Sequence, residues 1–120
     1  MDDSPTQILL MKEILSSAGY THLFETRNPR ETLPLHREHH FDLILLDLNM
    51  PAFSGFDVLE QFNERVDAED RPLIVAVSGQ ADPETQEKAM AMGAQGFIAK
   101  PYQITGFLSH IQSFLEPSLT

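Results

Sequence analysis

Two unbroken apolar runs, DLILL at Asp42–Leu46 and PLIVAV at Pro72–Val77, constrain this chain more than any other feature. A strand with one wet face alternates apolar and polar residues. A run of strand length with no alternation is instead buried on both faces, as strands are in a parallel sheet covered by helices. A third, shorter run, Gly96–Ala99, repeats the pattern.

Parallel strands need crossover connections, and the intervening segments supply helices. Ser4 before Pro5 is a cap-and-proline start, and Ile8, Met11, Leu15 and Ala18 recur at helical spacing until Gly19. Thr21–Thr26 reads as a short strand. Asn28 and Pro29 open a second helix running to about Glu38. Pro34 within it lacks an N–H and costs about 3 kcal/mol in a helix interior, so a late start or a kink near Leu33 is expected. Gly55–Val66 places Phe56, Leu59, Phe62 and Val66 on one side. Asp82 and Pro83 start a helix that Gly93 closes, and Ile104–Leu115 forms the last. The order αβαβαβαβα predicts one α/β domain over residues 1–120, a doubly wound parallel sheet between two helical layers, with four strands and five helices.

Composition narrows the functions open to such a domain. Its 18 Asp and Glu against 8 Lys and Arg give a net charge of −10. That argues against a groove neutralising nucleic-acid phosphates, and no direct nucleic-acid partner is expected. Cys is absent, which excludes disulfides and thiolate metal sites. No apolar stretch approaches the roughly 20 residues needed to span a bilayer, and MDDSPTQ lacks a basic or apolar leader pattern. A cytoplasmic protein without membrane contact is the expectation.

In a parallel sheet of this kind, ligands gather at the carboxyl ends of the strands. Asp47, Ser78 and Lys100 each follow an apolar run directly, and Asp2 and Asp3 stand just before the first helix, at the same edge. Taken singly, an Asp after a strand is commonly a turn former, Ser78-Gly79 a turn, and Lys100 a solvated charge. Taken together, carboxylates beside a backbone carbonyl make an all-oxygen site suited to Mg²⁺ rather than Zn²⁺. A carboxylate beside such an ion, a lysine and a hydroxyl is equipped to accept a phosphoryl group.

The fragments Asp2-Asp3-Ser4-Pro5, LILLDLNMP at Leu43–Pro51, Ser54-Gly55-Phe56, Val77-Ser78-Gly79 and Ala99-Lys100-Pro101-Tyr102, in this order and spacing, resemble a response-regulator receiver domain of two-component signalling. The resemblance spans essentially the whole chain and implies a flavodoxin-like fold, a receiver-like three-layer αβα arrangement. It implies that Asp47 is the phosphoacceptor, supplied by a phosphohistidine on a sensor histidine kinase or histidine phosphotransfer protein. It further implies that Asp2, Asp3, Asp47 and the backbone carbonyl of Asn49 hold Mg²⁺. Ser78 would be the switch hydroxyl, Lys100 the phosphate-binding lysine, and Phe97 the aromatic switch residue. The Lys100–Pro101 peptide is cis in the family. Such a protein is a switch rather than an enzyme with turnover, and its output face is built from the fourth helix and the last strand, where a homodimer could also form.

The chain departs from the family at its start. A receiver begins with an apolar strand ending at the acid pair, and here Met1 alone precedes Asp2. Burying five such side chains contributes on the order of 7–15 kcal/mol, so its loss is expensive. A re-paired edge, an internal start or a swapped strand from a partner chain are the compensations expected. With Met1 as terminus, its α-amino group would lie beside Asp2 and compete with Mg²⁺. Two other readings remain open: a receiver-like docking or dimerisation module that does not phosphorylate, and a phosphatase of the haloacid dehalogenase type. The latter has a second acid two residues after its nucleophile, where this chain has Asn49.

Overall fold

All three apolar runs pair with one another. In the computed structural model, which describes residues 1–2, 4–20, 23–48, 54–79, 82–100 and 104–115, β1 (Leu43–Asp47), β2 (Leu73–Ser78) and β3 (Gly96–Ala99) form one parallel sheet in the order β1-β2-β3. Leu46 faces Ala76 and Asp47 faces Val77 across the first pair, and Ser78 faces Ala99 across the second.

Alternate residues of each strand serve opposite layers. Ile44, Leu46, Ile74 and Ala76 join Leu33, Val58, Leu59, Phe62 and Ala89 in one core, beneath α2 (Thr32–His39), α3 (Gly55–Arg65) and α4 (Pro83–Ala91). Val75, Val77 and Ile98 join Met11, Ile14, Phe107 and Ile111 on the other face, beneath α1 (Pro5–Ser17) and α5 (Ile104–Leu115). At about 1.5–3 kcal/mol per fully buried large apolar side chain, these two layers supply most of the force that holds the sheet. Both faces being covered is why β1 and β2 carry no polar alternation.

Helix boundaries follow the local chemistry. Ser4 Oγ accepts the Gln7 N–H, and Asp82 accepts the Thr85 N–H and hydroxyl, which hold its carboxyl below the usual range. Gly19 and Gly93 end α1 and α4 with φ of +97° and +109°, which a residue bearing Cβ adopts only under strain. Asn28 caps a 3₁₀ turn at Pro29–Glu31 instead of an α-helix, and α2 begins at Thr32. Pro34 therefore lies in the first turn of α2, where its missing N–H breaks no helical bond.

One expected element differs. Leu23–Thr26 adopts no strand, so the described residues contain three strands rather than four; Thr21 and His22 lie outside the described residues. A strand exists only against a neighbour, and the space between this segment and β1 is filled only at one end, by Met1 and Asp2. Asp47 N–H donates to the Met1 carbonyl at 2.9 Å and the Met1 amino group donates to the Leu45 carbonyl at 2.6 Å, while Asp2 N–H donates to the Thr26 carbonyl at 3.3 Å. These two residues are bonded as the end of a strand parallel to β1 would be.

Candidate functional site

Strand register brings the chain's polar strand-end residues together. Because Asp47 pairs with Val77 and Ser78 with Ala99, the strand ends Asp47, Ser78 and Lys100 step across the sheet by one residue each. The Lys100 N–H donates to the Ser78 carbonyl at 2.8 Å, continuing the ladder past β3. Met1 holds Asp2 at the same edge from the other side of β1. Asp2, Asp47 and Ser78 are 1%, 3% and 0% exposed, so water does little of the work of solvating the two carboxylates.

Protein groups take water's place. Asp2 Oδ1 accepts the Ser4 N–H at 2.9 Å and Oδ2 accepts from Lys100 Nζ at 3.0 Å. Lys100 Nζ lies 3.7 Å from Asp47 Oδ1, an ion pair with both carboxylates from one ammonium. Two buried carboxylates facing one lysine leave a local excess of negative charge, which favours a cation.

The expected neighbour is also present. Burial lowers the Met1 amino group from 8.0 to about 6, although Asp2 and Asp47 pull in the opposite direction. Its folded pKa lies below the unfolded one, so between about pH 6 and 8 the unfolded chain binds more protons and stability rises with pH. The penalty is fully present below about pH 6 and gone above about 8; two pKa units correspond to roughly 2–3 kcal/mol. Urea midpoints of the metal-free chain are expected to rise across this window more steeply than those of an N-terminally acetylated chain, in which the amine cannot charge. Equal slopes for the two forms would remove the amine as the cause.

Gly55 also helps to position Asp47. It opens α3 against the strand end: an added Cβ would overlap the Asp47 carbonyl oxygen and lie 2.8 Å from Leu48 Cα. Nothing in the sequence alone marks Gly55 as a contact with Asp47; the only signal is its place in the Ser54-Gly55-Phe56 fragment. Asp57 accepts the Ser54 N–H at 2.7 Å, which fixes the same helix start. Phe97 is partly buried in β3 and packs on the α3 side of the sheet. Asp3, Asn49 and Pro101 lie outside the described residues. Among the described residues no group of three or more His, Asp or Glu converges on one point. Asp2 and Asp47 nonetheless form an oxygen-only, anionic pair that fits a hard divalent ion completing its shell with water.

The model of the response regulator receiver domain family matches residues 1–112, and the chain belongs to that family. It is 31% identical over 115 residues to the polar-differentiation response regulator DivK of Brucella ovis, covering 96% of this chain and 92% of that protein. Among solved structures it is similar to the chemotaxis protein CheY4 of Vibrio cholerae, with a TM-score of 0.84 and 26% identity over 94% of this chain and 92% of that one. It is also similar to the receiver domain of a signal transduction histidine kinase from Syntrophus aciditrophicus, with a TM-score of 0.83 and 28% identity over 98% of this chain and 87% of that one. The fold is the flavodoxin-like receiver fold, and the chain is a response-regulator receiver domain consistent with two-component signalling. No helix among the described residues is long and apolar enough to cross a membrane.

Proposed function

We propose that this receiver is a phosphorylation-dependent switch in which Asp47 accepts a phosphoryl group from a phosphohistidine of a cytoplasmic sensor kinase or phosphotransfer protein. The observation that carries this reading is the buried Asp2–Lys100–Asp47 arrangement, two carboxylates sharing one ammonium at the strand ends. A carboxylate oxygen of Asp47 forms the new P–O bond as the P–N bond to imidazole breaks, and the departing nitrogen keeps the electron pair. Lys100 neutralises a phosphoryl oxygen, and the Ser78 hydroxyl donates to another once the group is in place. Asp2, with Asp3, Asp47 and the Asn49 carbonyl, would hold Mg²⁺, which supplies further neutralisation of the phosphoryl oxygens.

The product is a populated state, not a released compound, so the protein acts as a switch and not as a turnover enzyme. The new group carries about −1.5 to −2 charge. Drawing Ser78 toward it gives Phe97 room to move inward, changing the face formed by α4 and β3, which serves as the output or dimerisation surface.

Incubation with acetyl phosphate and Mg²⁺, read by intact mass, tests the proposal. One phosphoryl group is expected on the wild-type chain, and none on Asp47→Asn or after chelation with EDTA. A wild-type chain that stays unmodified would leave a docking module that does not phosphorylate. Phosphate release without an accumulating adduct would indicate a phosphatase.

A further inference from the structure

Helix α4 is thinly attached to the body of the protein. Of its nine residues only Ala89 is buried, whereas α3 buries Val58, Leu59 and Phe62. A helix this short does not persist on its own, so its neighbours must hold it. One alanine methyl contributes a small part of what three large apolar side chains do. Two further contacts, both to α3, make up the difference.

At the C-terminal end of α4 the Asn63 side chain donates to the Met92 carbonyl. The same side chain fills the space beside Gly93, where an added Cβ would lie 3.0 Å from Asn63 Oδ1. One turn earlier, Lys88 reaches off its own helix and sets Nζ 4.2 Å from the centre of the Phe56 ring. A partner on α4 was open to it: Glu84 stands four residues before Lys88, the favoured order for a helical ion pair. Among the described residues, however, Lys88 forms no ion pair.

Phe56 directly follows Gly55, whose backbone abuts the Asp47 carbonyl. Lys88 therefore ties the helix that comes after Ser78 to the helix that starts against Asp47. Phe56, Met92 and Phe97 pack against one core cluster, so an inward movement of Phe97 takes space from beneath α4.

We propose that Lys88 over Phe56 is a latch that holds α4 down in the unphosphorylated protein, that Asn63 and Gly93 form the pivot behind it, and that the latch opens when Asp47 is phosphorylated. The last clause rests on the reading of Asp47 as phosphoacceptor. Free energy that keeps the latch closed opposes the phosphorylated arrangement, so weakening the latch favours that arrangement. A cation over an aromatic ring at an exposed site shifts such an equilibrium by about two- to fivefold. The contact needs both a charge and an aromatic face, which separates it from ordinary packing of the lysine stem: Met reproduces the stem without the charge, and Arg keeps the charge.

Amide exchange in the metal-free, unphosphorylated chain reads the latch itself. The α4 amides are expected to exchange about two- to fivefold faster in Lys88→Met and in Phe56→Leu, no faster in the double variant than in either single one, and at the wild-type rate in Lys88→Arg. Intact mass at limiting acetyl phosphate with Mg²⁺ reads the coupling. There the ratio of phosphorylated to unmodified chain is expected to rise about two- to fivefold in Lys88→Met and to stay at the wild-type value in Lys88→Arg. Unchanged exchange in Lys88→Met overturns the latch, and so does equally accelerated exchange in Lys88→Arg. Faster exchange in Lys88→Met without a gain in phosphorylation overturns the coupling. A wild-type chain that takes no phosphoryl group overturns the phosphoacceptor reading, and the exchange rates still decide for or against the latch.

Discussion

Lys100→Met lowers the stability of the metal-free chain by about 3 kcal/mol, because it leaves Asp2 and Asp47 buried with no lysine between them. Removing one partner of a buried pair typically costs 3–5 kcal/mol. The lower end applies here, because the Lys100 side chain is 22% exposed and water can partly follow it. Denaturant midpoints check the loss, and two rescues identify its cause. Adding Asp2→Asn removes one of the stranded charges and is expected to recover much of the stability. Millimolar Mg²⁺ is expected to do the same if the carboxylate pair binds the ion. A Lys100→Met chain as stable as wild type, or one that neither change restores, would mean that the ammonium does not hold the two carboxylates together.

Gly55→Ala is expected to destabilise the chain, opposite to the usual sign at a helical position. Ala is favoured over Gly in a helix by about 1 kcal/mol. At Gly55, however, the new methyl would strike the Asp47 carbonyl oxygen and Leu48 Cα, both of them main-chain atoms. Overpacking of this kind costs about 1–3 kcal/mol and is relieved only by moving the end of β1. Phosphorylation should slow along with it, because the displaced residue is Asp47 itself. Gly106→Ala is the control: nothing lies within 4 Å of its added Cβ, so the chain should gain about 0.5–1 kcal/mol. Thermal denaturation of the two variants decides the matter. If both gain stability, the close approach of α3 to β1 does not limit the fold.

Much of this architecture can be read from the chain because its decisive signals are local. The runs at Leu43–Leu46 and Leu73–Val77 carry their own evidence of two-sided burial, and Ser4, Asn28 and Asp82 announce the helical turns that follow them. Thr21–Thr26 has strand composition, yet Leu23–Thr26 forms no strand, because pairing depends on a neighbour and composition does not reveal whether one is there. Asp47, Ser78 and Lys100 were legible as strand ends, while the lysine's position between two acids depends on register. The steric role of Gly55 was hidden for the same reason. A glycine's missing Cβ matters only against whatever lies opposite it.

The Lys100–Asp2 bond joins residues 98 positions apart in a chain of 120. Every element from α1 to β3 lies between them in sequence and must be made before the two residues can meet. Contacts of such separation form late and slow folding, since the loop entropy is lost before the bond can compensate. A ribosome-bound chain that has not yet reached residue 100 has Asp47 without its lysine. Asp2 and Asp47 are thereby left without the ammonium that holds them together until the residue after β3 has been made.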